Sequence, residues 1–343
     1  MPGDAVGPLP HAHGGPPIVG RLRAEPGDFF VEEILGFEPS GAGEHAFVQI
    51  EKTGANTEWV ARRLAEKAGV APVAIGYAGL KDRHAVTRQA FSIHLPGRRD
   101  PDWSALAIPG VRVMSASRHD RKLKRGIHRG NRFRIRVRDV EGSRDAAGQR
   151  LDAIRARGVP NYFGEQRFGI DEGNLARARE LFAGRRMPRA QAGFAISAAR
   201  SLLFNAVLAD RVAARHWDRG LDGEVWMLAG THSIFGPEAL TDELARRLAA
   251  FDIDPTGPLW GAGELRTSGH VREIEQRAIA PFGDLADGLA KAGLVQQRRA
   301  LRLPVQNLEH AWEHDGSLVA EFELPAGSFA TVVLRELCDA AAA

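Results

Sequence analysis

The chain has 343 residues, 44% hydrophobic and 26% charged, which fits a folded protein long enough for two domains and excludes disorder along most of its length. Lys and Arg number 46 against 43 Asp and Glu, a formal net charge of only +3, so any affinity for nucleic acid must come from local clustering of charge. A single cysteine, Cys338, excludes internal disulfides and Cys-rich zinc sites.

The first 20 residues, MPGDAVGPLPHAHGGPPIVG, lack a cationic n-region followed by an apolar h-region. They read as a flexible Pro/Gly leader, and a cytoplasmic protein is expected. From Arg21 to Arg138 the runs DFFVEEIL, HAFVQIEK, APVAIGYAGL, AFSIHL and NRFRIRVRDV predict strands. One helix is predicted among them, in NTEWVARRLAEKAGV, with Asn56 or Thr57 as N-cap, Trp59, Val60, Leu64 and Ala65 on one face, and Gly69 as the stop. From Asp145 to about Arg302 the pattern turns helical, including a Glu/Arg/Ala/Leu-rich segment from Arg272 to Arg302. The most apolar stretch, Ala192 to Ala209, is interrupted by Arg200 and Asn205, as suits a buried helix better than a membrane span. After Pro304 strands return, NLEHAWEH and SLVAEFELP flanking the hairpin signal Asp315-Gly316. The two strand-rich ends are therefore expected to share one sheet domain into which the helical segment is inserted.

The densest charge feature is RHDRKLKRGIHRGNRFRIRVR, Arg118 to Arg138, whose cations face only Asp120 within the segment. Such a cluster suits phosphate binding that weakens steeply with salt. For Arg132, Arg134, Arg136 and Arg138 an ordinary half-exposed strand face explains the alternation equally well. The opposite parity, Asn131, Phe133, Ile135 and Val137, points an amide and a ring inward. Phe133 could stack on a base, but taken alone it reads as a core residue first. In GYAGLKDRHAVTRQAF, Asp82 sits between Lys81 and Arg83 at the end of an apolar run, where it is a charged turn or an ionised carboxylate placed to react. HAWEH, His310 to His314, matches an H-x-x-E-H pattern. As a strand it would separate its histidines by about 13 Å, too far to share one ion. No Walker A loop and no strand-linked G-x-G-x-x-G is present.

Several of these stretches together resemble the tRNA pseudouridine synthase D (TruD) family, over nearly the whole chain after the leader. They are RLRAEPGDFFVEE with GEHAFVQIEKTGANTEWVARRLA, AGLKDRHAVTRQ, KLKRGIHRGNRF, PNYFGEQRFG, SAARSLLFNAVLADR and LPAGSFATVVLREL, in that order. The resemblance implies isomerisation of uridine to pseudouridine in tRNA, at position 13, without metal or organic cofactor. It implies Asp82 as the catalytic carboxylate and Arg23 as the basic residue that orients it and keeps it ionised, although relatives often carry Lys there. Phe29, Asn131 and Phe329 match positions that contact the target nucleotide, with Phe133 beside Asn131 in the G-N-x-F element.

The implied fold is α/β (α+β): a mixed, largely antiparallel-sheet pseudouridine synthase catalytic domain with an inserted helix-rich α/β TRUD domain. The boundaries expected are a leader at 1–20, a discontinuous catalytic domain at 21–155 and 305–343, and the insertion at 156–304. Lys81, Arg83, Arg121, Lys122, Lys124, Arg125 and Arg129 are the candidates for gripping the RNA backbone. The expected partner is tRNA, with no membrane or protein partner, and the chain is expected to be a monomer. Two other readings compete: a basic RNA-binding module with no chemistry, and a hydrolase of a glycosidic bond pairing Asp82 with a second acid such as Glu32 or Glu33.

Overall fold

The computed structural model describes residues 7–340. In chain order its main elements are β1 (Ile18–Leu22), β2 (Phe29–Ile34), β3 (His45–Lys52), α1 (Thr57–Ala68), β4 (Ile75–Tyr77), β5 (Val86–His94), β6 (Val111–His119) and β7 (Gly130–Gly142). There follow α2 (Arg144–Arg157), β8 (Val159–Pro160), α3 (Gly173–Phe182), α4 (Arg189–Ala213), β9 (Glu224–Leu228), β10 (Ile234–Glu238), α5 (Asp242–Ala249) and β11 (Ile253–Leu259). The chain ends with α6 (Gly269–Ile279), α7 (Gly283–Lys291), β12 (Gln297–Ala300), β13 (Arg302–Leu303), β14 (Gln306–Trp312), β15 (Leu318–Pro325), α8 (Thr331–Leu337) and β16 (Cys338–Ala340). These form two compact units, a sheet unit of residues 17–144, 305–328 and 338–340, and a helical unit of residues 7–16, 145–304 and 329–337.

The sheet unit is one mixed sheet in the order β14-β15-β7-β2-β5-β3-β6, with β1 pairing β7 and β16, and β4 pairing β5. Only β2 with β5 and β1 with β16 run parallel. Alternation sets its faces. On β2, β7 and β15 the register places Phe29, Val31 and Glu33 beside Ile135, Phe133 and Asn131, and Phe322 beside Phe133, all on one buried face. Helix α1 covers the sheet where β3 and β5 offer Ala46, Val48, Ile50, Phe91 and Ile93, and it buries Val60, Leu64 and Ala65 there. It starts at Asn56 and stops at Gly69, whose φ of 59° is the left-handed conformation that glycine adopts without strain.

In the helical unit, α4 is long and apolar enough to cross a membrane by length and composition, yet most of that stretch is buried inside the fold. Three ion pairs lie in this interior, Arg211–Glu224 at 2.8 Å, Arg298–Glu275 at 2.7 Å and Arg302–Asp254 at 2.6 Å. The expected helix from Arg272 to Arg302 is instead α6 and α7, parted near Pro281, followed by the strands β12 and β13. A four-stranded sheet, β10-β9-β11-β12, also escaped the periodicity. Its strands IFGPE and IDPTGPL carry Pro and Gly, which read as turns in isolation.

The leader departs from expectation as well. Residues 1–6 lie outside the described residues, but Leu9 to Gly15 are tied down. Arg335 Nη1 and Nη2 donate to the carbonyls of Pro10 and Leu9, the Ala12 and His13 amides donate to Glu336, and Arg150 donates to the carbonyls of Gly14 and Gly15. A Pro/Gly-rich stretch lacks local structure of its own, and here side chains from α2 and α8 supply the order. From Ile18 onward the segment is already sheet, as β1.

Candidate active site

Asp82 sits on the connection from β4 to β5, and several polar backbone groups of that connection are held from beneath. Gln89 Nε2 donates to the Gly79 carbonyl at 3.2 Å, and the Lys81 amide donates to Thr57 Oγ1 at 3.0 Å, whose hydroxyl donates in turn to Gln89 Oε1 at 2.8 Å. Lys52 Nζ donates to the carbonyls of Ala55 at 2.7 Å, Asp82 at 3.1 Å and Lys81 at 3.4 Å. The Gly54 amide donates to the Arg83 carbonyl at 2.9 Å. Asp82 then folds back on itself, one carboxylate oxygen accepting from the His84 amide at 2.9 Å. Lys52 is completely buried. Burial brings its ammonium down to about 8 despite the attraction of Asp82, and the charge of Lys81 pushes the same way. The sequence reading passed over Lys52, yet a signal was there: it continues the parity of Ala46, Val48 and Ile50, which puts a lysine on the buried face of β3.

The other carboxylate oxygen of Asp82 faces Arg23 Nη1 at 3.2 Å, both side chains about one-third exposed. Arg23 follows β1 with φ 57°, a left-handed conformation unusual for a residue with a side chain, and its guanidinium lies 4.3 Å from the centroid of the Phe29 ring. Phe29 meets Phe133 edge-on at 6.3 Å, and Phe133 stacks on Phe322 at 5.5 Å. Arg23, Phe29 and Asp82 are thus drawn together from segments far apart in sequence. Phe133 is a buried support for Phe29, matching the core reading of that ring.

Asn131 lies on the same face and is 8% exposed, and its Oδ1 has no hydrogen-bond partner among the described residues. Its cross-strand neighbour Glu33 accepts from Lys81 Nζ at 2.8 Å, in a pair with side chains 1% and 6% exposed. Burial pushes the nearby His128 imidazole below its usual range, and Lys81 adds to that shift while Glu33 opposes it. A Cβ built on Gly79 would lie 3.1 Å from Lys81 Nζ and 3.4 Å from His128, so glycine gives this pair its room.

Several expected assignments change at this point. Lys81 is turned inward to Glu33, so its ammonium is not on the surface to meet a phosphate. Arg118 is on strand β6 and pairs with Asp100 at 2.8 Å. The row Arg132, Arg134, Arg136 and Arg138 forms an ion-pair ladder: Arg132 with Glu323 and Glu32, Arg134 with Glu321, Arg136 with Asp315, Arg138 with Asp28. The acids come from β2, β15 and their flanking turns, distant in sequence, so the local count of charges overstated the field. Of the loop cations, Arg121 contacts Asp120, Lys122 donates to the Val73 carbonyl, and Arg125 donates to Tyr77 Oη at 2.8 Å. Lys124, Arg129 and Arg83 are exposed, with no side-chain ion pair among the described residues.

Neither rival acid stands free beside Asp82. Glu33 is locked to Lys81, and Glu32 has the opposite parity on β2, facing Arg132 at 3.3 Å and Arg88 at 3.7 Å. HAWEH lies on β14 up to Trp312, and among the described residues no group of three His, Cys, Asp or Glu could hold a metal. Phe329 lies in the helical unit, half-buried just ahead of α8.

The whole-chain comparisons concern the same segments. The profile of tRNA pseudouridine synthase D matches residues 5–178 and 174–337. A tRNA pseudouridine synthase D from Xanthomonas axonopodis pv. citri is 49% identical, with 97% of this chain and 95% of the relative covered. Those from Methylococcus capsulatus and Aeromonas hydrophila are 51% and 48% identical, covering 96% and 97% of this chain and 94% of each relative. A crystal structure from Methanosarcina mazei, provisionally named a tRNA pseudouridine synthase D, superposes with a TM-score of 0.72 over 95% of both chains at 23% identity, which establishes the shared fold. With matches of this extent running through the loop of Asp82 and the strands that hold it, the chain belongs to the tRNA pseudouridine synthase D family.

Proposed function

We propose that this chain isomerises uridine to pseudouridine in tRNA, at position 13, with Asp82 as the catalytic carboxylate and Arg23 as its orienting partner. The observation that carries this reading is the Asp82 carboxylate, held by Arg23 at 3.2 Å and by the His84 amide at 2.9 Å, beside the ring of Phe29. The family name of the relatives supplies the substrate class.

Uridine must leave its stack before an enzyme can reach the glycosidic bond, at a cost of a few kcal/mol, offset by contacts to the RNA backbone. The surface cations Arg83, Lys124 and Arg129 suit that role. Phe29 supplies aromatic surface for the extruded nucleotide. Asn131 Oδ1, buried and unpartnered, is an acceptor fit for the N3 hydrogen of uracil or a ribose hydroxyl. The reaction breaks N1–C1′, turns the uracil, forms C5–C1′, and releases the C5 hydrogen as a proton while N1 gains one. Asp82 serves by adding to C6 of the ring or by acting at the ribose, and both routes need one ionised carboxylate and no second acid.

The basic binding-module reading has less to rest on, since the ion-pair ladder neutralises much of the arginine row it relied on. The test is tRNA tritiated at C5 of uridine: release of label to water with the modification mapping to position 13 supports the proposal, and no release from any tRNA contradicts it.

A further inference from the structure

Beside the loop of Asp82 the sheet unit has a cleft of about 490 Å³ that the reaction described above does not use. Its lining includes Asn56, Trp59, Arg62, Leu80 and Arg83, but none of Arg23, Phe29, Asp82 or Asn131. Three observations bear on what it takes. Leu80 is 58% exposed two residues before Asp82, where an apolar side chain gains nothing from water, and with half-buried Trp59 it makes an apolar wall. Arg62 and Arg83 are exposed cations with no side-chain ion pair among the described residues, in a protein where most arginines of the sheet are paired. Glu58, a carboxylate of the lining, is held by Arg125 at 3.3 Å. Apolar walls with free guanidinium groups at the rim match a nucleotide, the walls meeting the base and the cations its phosphates.

Position narrows the identity. Arg83 is the next residue after Asp82, so the cleft is lined by the same loop that carries this carboxylate. A bound strand whose target uridine faces Asp82 brings its neighbouring nucleotide to the same loop. We propose that this cleft is a subsite for the nucleotide flanking the target uridine, with Leu80 and Trp59 contacting its base and Arg62 and Arg83 its phosphates. The subsite rests on the reading of Asp82 as the group that acts on tRNA uridine. It would make the loop a divider, with one nucleotide on each side of the Asp82 backbone, fixing which uridine of the strand reaches the carboxylate.

The test is steady-state tritium release from a C5-labelled tRNA transcript by the full chain and three variants. Arg62→Glu and Leu80→Ser, both at exposed positions, are expected to raise KM roughly 10-fold while kcat changes far less, as loss of one stacked or phosphate-bound nucleotide requires. Lys67→Glu, the same reversal of charge on α1 but outside the cleft, is expected to leave KM within two-fold. A transcript with 4-thiouridine next to the target should photo-crosslink to the segment around Leu80 or Trp59. Unchanged KM in both cleft variants, or equal effects in all three, would overturn the subsite while wild-type turnover stands. Absence of tritium release by the wild type would instead remove the activity on which the subsite depends.

Discussion

Lys52 Nζ donates to the carbonyl oxygen of Asp82 at 3.1 Å from a fully buried position, so a charge taken out of water holds the backbone of the proposed catalytic residue. Lys52→Met is therefore expected to keep the sheet but let the loop shift, lowering kcat by about 10- to 100-fold, since misplacement of a reacting group by an ångström is worth that much. Turnover equal to wild type in the tritium assay would show that the loop needs no such anchor.

The same residue gives a pH prediction with two opposite signs. Its folded value of about 8 lies below the ordinary 10.5, so between these the unfolded chain retains a proton that the folded chain has released. Stability owed to this residue then rises with pH across that window, by on the order of 3 kcal/mol in all. Activity should fall over the same range, because a neutral amine has one donor fewer for the three carbonyls. Urea unfolding of wild type and Lys52→Met on either side of the window checks the first, and kcat against pH checks the second. A parallel pH dependence of stability in the two proteins would contradict it.

The buried Lys81–Glu33 pair should behave as a unit. Glu33→Gln leaves an ammonium without its counter-charge and is expected to destabilise the fold by about 3 to 5 kcal/mol, with Lys81→Met similar and the double variant recovering much of the loss. A double-mutant cycle in urea measures this, and strict additivity of the two losses would exclude coupling.

Surface cations separate into two kinds. Arg134 is paired with Glu321 at 3.0 Å in the ladder, so Arg134→Gln should change stability by less than about 1 kcal/mol and leave tRNA affinity unaltered. Lys124→Ala and Arg129→Ala, which remove unpaired charges, should each weaken tRNA binding and lower the salt slope by about one unit. A larger salt effect from Arg134→Gln than from these two would reverse the assignment.

How far the sequence reached follows from which forces act locally. Alternation on β7 correctly separated Asn131, Phe133, Ile135 and Val137 from the arginines, because a period of two records which side chains share a face. The same alternation could not say that Glu323, Glu321 and Asp28 would neutralise those arginines, since the acids arrive from another strand and from the turn before β2. Pro and Gly in β10 and β11 hid two strands that are stabilised by neighbours and not by their own propensity. At the site, family resemblance singled out Asp82 and Arg23, whose side chains pair at 3.2 Å. The polar side chains beneath the Asp82 loop were not legible, because Lys52, Thr57 and Gln89 converge only after folding, although the parity of Lys52 on β3 marked it as buried.

The most direct measurement of the central claim pairs tritium release with tRNA binding for Asp82→Asn. That change keeps the shape of the side chain and removes the charge that faces Arg23. The account predicts release abolished to background and tRNA affinity within a few-fold of wild type. Undiminished release by Asp82→Asn would contradict it.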